Sequence, residues 1–261
     1  MKKAKQRIKI LLSYNGLKYY GWQKQKKLPS IQGEIEKALK NLFKEDISVI
    51  GSGRTDTGTH AIGQTAHFDI SKNPGPYLQK ALNAFLLPKN ICVRKVWRAP
   101  DHFHAKNSAI EKHYIYFILN RQWPCVFRKG QVYWHPHQLL DIKALQSISN
   151  NIPGTYDFKS FQNSGTVLKN TIRTVTLAKW QQNKKHLLAF HVKGDGFLKQ
   201  MVRNLVGVQL ALLKEPNPIK KWQEILLAKD RKVAYKTVPA CGLYLYGVSY
   251  PYKLDRDCQK I

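Results

Sequence analysis

Arg7-Ile-Lys-Ile-Leu-Leu-Ser-Tyr14 carries apolar side chains at Ile8, Ile10, Leu12 and Tyr14, the period-two spacing of a half-buried strand. The segments that follow decide the topology. Pro29-Ser30 supplies a helix start, and Ile31, Ile35, Ala38, Leu39, Leu42 and Phe43 fall on one helical stripe. Two strands are expected next: Ile47 to Ile50, then Ala66, Phe68 and Ile70 alternating with Thr65, His67 and Asp69. After Pro74-Gly75-Pro76, the spacing of Leu78, Ala81, Leu82 and Phe85 predicts a second helix, and Ile91 to Trp97 a fourth strand.

This order is β-α-β-β-α-β, the split unit of ferredoxin-like domains. The second half repeats it. Lys112 to Leu119 reads as a strand, Leu139 to Ile148 as a helix, and Thr171 to Trp180 with His186 to Lys193 as two strands. Leu198, Met201, Val202, Leu205 and Leu212 share a face of a long helix capped by Asp195, and Leu243 to Ser249 closes the set. Pro218 to Ala228 reads as an added helix, and Asn150 to Asn170 as a long loop. The expected fold class is α+β, with two ferredoxin-like lobes packed around a catalytic cleft. The periodicity breaks at residues 98 to 108, which divides the chain into an N-terminal lobe, 1–104, and a C-terminal lobe, 105–261.

Charge narrows the class of partner. The 261 residues hold 44 Lys and Arg against 16 Asp and Glu, a formal net charge of +28. Such an excess repels itself unless a polyanion or counterions screen it, so nucleic acid or an anionic surface is expected. A hydrophobic fraction of 43% argues against disorder. Gln209 interrupts the longest apolar run, Leu205 to Leu213, which is too short to cross a bilayer. Met1 to Arg7 leads into no secretory apolar core, and a soluble, cytoplasmic protein is expected. Cys92, Cys125, Cys241 and Cys258 form no close pair and are expected to be reduced; His102 with His104, and His135 with His137, lack further ligands, so no metal is expected.

Chemistry concentrates in Gly51-Ser-Gly-Arg-Thr-Asp-Thr-Gly-Thr-His-Ala61, where three glycines permit tight backbone paths around a guanidinium and a carboxylate. No Gly-Lys-Ser/Thr ending is present, so it is not a phosphate-binding P-loop. On spacing alone, the segment also fits a surface hairpin in which Asp56 caps a turn. The basic setting adds a second reading. Neighbouring cations favour the charged form of a carboxylate, and an ionised carboxylate can act as a covalent nucleophile.

The same segment resembles the signature loop of TruA-type tRNA pseudouridine synthases. Tyr14-Asn-Gly-Leu-Lys-Tyr-Tyr-Gly-Trp-Gln23, Phe103-His-Ala-Lys-Asn-Ser-Ala109, Lys112-His-Tyr-Ile-Tyr116, Phe158-Lys-Ser-Phe161, Met201-Val-Arg-Asn204 and Gly242-Leu-Tyr-Leu245 resemble further family segments in the family's order. The resemblance implies an isomerase, an intramolecular transferase that converts uridine to pseudouridine at positions 38, 39 and 40 of the tRNA anticodon stem-loop. It further implies a homodimer working without cofactor or metal.

By that resemblance Asp56 is the catalytic nucleophile, and it leaves open whether the base or a sugar glycal route is used. Tyr114 matches the family's active-site tyrosine, to stack on the flipped uracil; a core aromatic is the plain alternative. Arg203, four residues after Lys199 on a helical face, is expected to pair with Asp56, and Arg54 to position the RNA; either can equally be a solvated cation. Lys2, Lys3, Lys5, Arg7 and Lys9 are read as part of a phosphate-facing field, with binding that weakens as salt rises. Ser52 and Thr59 stand where many relatives carry Ala and Val, and Lys106, Asn107 and Ile110 replace Arg, Phe and Thr. These departures flank Asp56 and Tyr114 and bear on substrate positioning.

Overall fold

The computed structural model describes residues 5–136, 138–163, 165, 170–184 and 186–261. Lys2, Lys3 and His137, with part of the long loop at 164 and 166–169, lie outside the described residues. In chain order the elements are β1 (Gln6–Tyr14), α1 (Ile31–Phe43), β2 (Ile50–Gly51), β3 (His60–Ile70), α2 (Leu78–Leu86) and β4 (Ile91–Arg98). Then come β5 (Glu111–Leu119), β6 (Tyr133–Trp134), α3 (Ile142–Ser149), β7 (Gly154–Asp157), β8 (Ile172–Lys184), β9 (Leu187–Gly194), α4 (Met201–Leu212) and α5 (Pro218–Ala228). β10 (Leu243–Ser249), α6 (Tyr252–Arg256) and β11 (Gln259–Lys260) complete the chain. Contacts divide it into two units, Met1–Ile110 with Leu245–Ile261, and Glu111–Tyr244.

In the first unit β1 lies between β3 and β4, antiparallel to both, with β11 on the outer edge of β4 and β2 on β3. Ile8, Ile10 and Leu12 are fully buried, with Ile31, Ile35, Ala38 and Leu39 of α1 and Leu78 and Leu82 of α2 completing that core. Ser30 caps α1, its side chain accepting from Gly33 N at 3.3 Å. Burying each large aliphatic side chain contributes about 1.5 to 3 kcal/mol. The strand expected over Ile47 to Ile50 shrinks to Ile50–Gly51. Helix side chains take the backbone groups that a longer ladder needs: Gln32 Nε2 donates to Val49 O at 2.9 Å, and Val49 N donates to Glu36 Oε1 at 3.1 Å.

The opposite face of this sheet is also covered, which overturns the expected alternation on β3. Thr65 and His67 are buried like Ala66 and Phe68. Phe103, Ala105, Tyr250, Leu254 and Cys258 form a second cluster with Trp97 and Val248 packed against it. Lys9, expected to face phosphates, is 5% exposed; its ammonium lies about 5 Å from the ring centres of Trp97, Phe103 and Tyr250 and pairs with Asp255. Arg7 pairs with Asp69 at 2.8 Å and donates to the carbonyl of Phe103. Both cations are therefore engaged inside the fold rather than offered to RNA.

His67 gives this layer a pH dependence. Its Nδ1 accepts from Ala105 N at 3.1 Å, and burial, with Arg7 and His104 nearby, pushes the imidazole down to about 4. The unfolded imidazole titrates near 6.5, so on acidification the unfolded chain takes up this proton first. The unfolding midpoint is expected to hold above pH 7 and to fall progressively between about pH 6.5 and 4. Thermal melts across that range should show a shallower decline in His67→Gln; equal slopes would refute the assignment.

In the second unit β9 lies between β5 and β8, β7 flanks β8, and the short β6 runs parallel to β5. Asp141 caps α3 by accepting from Lys143 N and Ala144 N, and Asn217 caps α5, which starts on Pro218. Gln209, the polar break in the apolar run, is buried and satisfied: its Oε1 accepts from Ser149 Oγ at 2.5 Å and from Trp180 Nε1 at 2.8 Å. The expected helix cap at Asp195 is replaced by another role. β9 extends to Gly194, and Asp195 accepts from Thr174 N at 3.1 Å. The helix starts six residues later at Met201, behind Gln200 in the left-handed region at φ 62°, so Lys199 is not on its face.

Candidate active site

The Asp56 loop joins β2 to β3, and its entry arm is held by buried polar groups. Ser52 N donates to Thr65 O at 2.8 Å, Ser52 Oγ to Gln64 Oε1 at 2.6 Å, and Gln64 Nε2 to Gly53 O at 2.9 Å. Around the tip, the segment after β1 supplies the partners. Trp22 N donates to Thr55 O at 3.1 Å, and Gly58 N to Tyr19 O at 3.3 Å. The hydroxyls of Tyr14 and Thr55 are 2.9 Å apart. Thr59 N closes the turn onto Asp56 O at 3.0 Å.

In this frame Ser52, Thr55 and Thr59 are buried, Asp56 is half-buried and Arg54 is exposed. A carboxylate on a backbone turn tied on both sides is held in place while still reaching solvent. Asp56 is thus the loop's acidic group, and Arg54 stands next but one to it on the open side.

The two departures inside the loop differ physically. Ser52 is satisfied by Gln64, whereas the buried Thr59 Oγ1 has no hydrogen-bond partner among the described residues. Thr59→Val keeps the shape and removes a desolvated hydroxyl, so it should stabilise the protein by about 1 kcal/mol with unchanged activity. A denaturant midpoint that falls would contradict this.

The other two expected site residues belong to the second unit. Tyr114 on β5 pairs with Val192 of β9, is 7% exposed, and meets Phe197 edge-to-face at 5.2 Å between ring centres. Tyr116, on the same face, is fully buried and donates its hydroxyl to Pro239 O at 2.7 Å. Arg203 on α4 is half-buried, with Nε donating to Val238 O at 2.9 Å. Among the described residues no group of three or more His, Cys, Asp or Glu is placed to hold a metal ion, and the four cysteines are free. His104 has a structural task, its Nδ1 accepting from Lys106 N and Asn107 N.

Sequence reasoning assigned no role to Tyr14, Gly21, Trp22 or Gln64, which hold the Asp56 loop. One local signal was glycine at position 21, which sits at φ +86° where a Cβ would stand 2.5 Å from Thr55 O.

The family model described as tRNA pseudouridine synthase matches residues 10–106 and 149–251. Asp56 and Arg54 fall in the first segment and Arg203 in the second, with Tyr114 between them. The chain is similar to the tRNA pseudouridine synthase A of Bdellovibrio bacteriovorus, 41% identical over 261 residues, 98% of this chain and 99% of that one. It is 42% identical over 253 residues to the tRNA pseudouridine synthase A of Bacillus licheniformis, covering 94% of this chain and 99% of the relative. With that of Acetivibrio thermocellus the identity is 36% over 244 residues, covering 93% and 99%. Matched over most of its length by the family model, and from end to end by relatives that carry the name, the chain belongs to the tRNA pseudouridine synthase family.

Proposed function

We propose that the protein isomerises uridine to pseudouridine at positions 38, 39 and 40 of the tRNA anticodon stem-loop, with Asp56 as nucleophile. The observation that carries this reading is a half-buried carboxylate on a loop tied at both ends, in a chain that the family model matches over most of its length and a named relative over 98% of it. The glycosidic C1′–N1 bond breaks, the uracil turns, and C5 bonds to C1′. C5 loses a proton and N1 gains one, so atoms and electrons balance without a redox partner. Asp56 holds the separated fragments in register by bonding to one of them.

In this proposal Tyr114 stacks on the extruded uracil, Arg203 is the counter-ion of Asp56, and Arg54 positions the RNA backbone. The edge contact with Phe197 supports the first role by fixing the plane of the Tyr114 ring, and the bond to Val238 O supports the second by orienting the guanidinium. The net charge of +28 suits a polyanionic substrate. The proposal extends to two ferredoxin-like lobes and to a homodimer acting in the cytoplasm. Among the described residues no helix is long and apolar enough to cross a membrane.

The test is incubation of the protein with an unmodified tRNA transcript, followed by chemical mapping of pseudouridine. Product at positions 38 to 40 is expected. Product confined elsewhere would overturn the substrate assignment, and tRNA binding without product would leave an RNA-binding protein on the same scaffold.

A further inference from the structure

We propose that Tyr14 and Thr55 form a positioning pair that sets the Asp56 carboxylate for reaction, an inference that rests on Asp56 being the nucleophile. Tyr14 is the last residue of β1 and is buried; its ring lies 6.3 Å from that of Trp22, and its hydroxyl meets Thr55 Oγ1 at 2.9 Å. Thr55 is buried immediately before Asp56 and is held a second time through its carbonyl by Trp22 N. A rigid strand thus grips the loop one residue from the reacting group. The other arm is fastened through Ser52, Gln64 and Gly53, and the Gln64 side chain also hydrogen-bonds the Tyr14 phenol.

Packing alone does not call for the phenol, because phenylalanine would fill the same space against Trp22. The hydroxyl pair adds little to stability, because folding exchanges it for hydrogen bonds to water. Its geometric value is larger, since a displacement of about 1 Å at a reacting group can cost on the order of 100-fold in rate. Burial pushes the Tyr14 phenol up to about 12, so it acts as a neutral hydrogen-bonding group and not as a proton carrier at working pH.

The test compares Tyr14→Phe, Thr55→Val, Thr55→Ser and the Tyr14→Phe/Thr55→Val double variant on tRNA transcript, with Asp56→Asn alongside. Tyr14→Phe should lower kcat roughly 10- to 30-fold, leaving KM and tRNA affinity within about twofold and the shape of the pH–rate profile unchanged. Thr55→Val should match it, Thr55→Ser should retain activity within about threefold, and the double variant should be no worse than either single one. Unchanged kcat in Tyr14→Phe, a loss confined to KM or thermal stability, multiplying losses in the double variant, or a serine no better than valine would each overturn the inference. Should Tyr14→Phe fail to fold, the Ser and Val contrast at Thr55 decides it. If Asp56→Asn stays active, the nucleophile reading falls instead; if Asp56→Asn is dead and Tyr14→Phe is normal, only the positioning pair is lost.

Discussion

Asp56→Asn should fold, bind tRNA and form no pseudouridine, a loss of at least roughly 10,000-fold in kcat. The substitution preserves shape and leaves the turn bond from Thr59 N to the backbone carbonyl of residue 56 in place. What disappears is the negative oxygen pair. A neutral amide is a poor nucleophile, and a 10,000-fold loss corresponds to about 5.4 kcal/mol of transition-state stabilisation. Affinity should move the other way, if at all. The chain has 44 cationic residues and 16 acidic ones, and removing one anion from a surface that meets phosphates slightly favours the complex. Filter binding and pseudouridine mapping on one preparation separate the two effects. Turnover within tenfold of the native rate would remove Asp56 from the chemistry.

Gly21→Ala should cost about 2 to 4 kcal/mol of stability and roughly 100-fold in activity, although position 21 carries no reactive group. Gly21 sits at φ +86°, a region disfavoured for any side chain. Its Cβ would also stand 2.5 Å from Thr55 O and 3.3 Å from Asp56 C and Thr57 N. These are backbone atoms, so the clash cannot be relieved by turning a side chain; the Asp56 turn itself must move. Gly75 provides the control. It too has positive φ, +66°, but nothing lies within 4 Å of a Cβ there, so Gly75→Ala should lose about 1 kcal/mol and no activity. Thermal melts and single-turnover rates on both variants check the pair. Equal behaviour would show that the segment after β1 does not support the Asp56 loop.

Much of the fold was legible because its signals are local. The period-two spacing of Ile8 to Tyr14, the stripe on Ile31 to Phe43 and the Pro218 start of α5 each encode their element within at most 13 residues. The misreadings share one physical cause, a partner distant in sequence. Lys9 looked like a surface cation because Asp255 and Tyr250 lie far along the chain. Asp195 looked like a helix cap because its bond to Thr174 crosses to the neighbouring strand. Ile47 to Ile50 looked like a full strand because Gln32 and Glu36, which take up Val49's backbone groups, sit on α1. The site divides the same way. The Asp56 loop announces itself by residue type in a contiguous segment, whereas the hydroxyl contact that fastens it spans from Tyr14 to Thr55.

The lysine beneath three rings has a consequence for biosynthesis. A ribosome makes β1 well before Asp255 and Tyr250, which neutralise and shield Lys9 and emerge only after the whole of Glu111–Tyr244. Until then the nascent first unit lacks β11 along β4 and leaves the Thr65 and His67 side of its sheet without the tail residues that cover it. The unit begun before Glu111–Tyr244 is thus completed after it, and loss of Leu245–Ile261 leaves an unfinished catalyst rather than a smaller one.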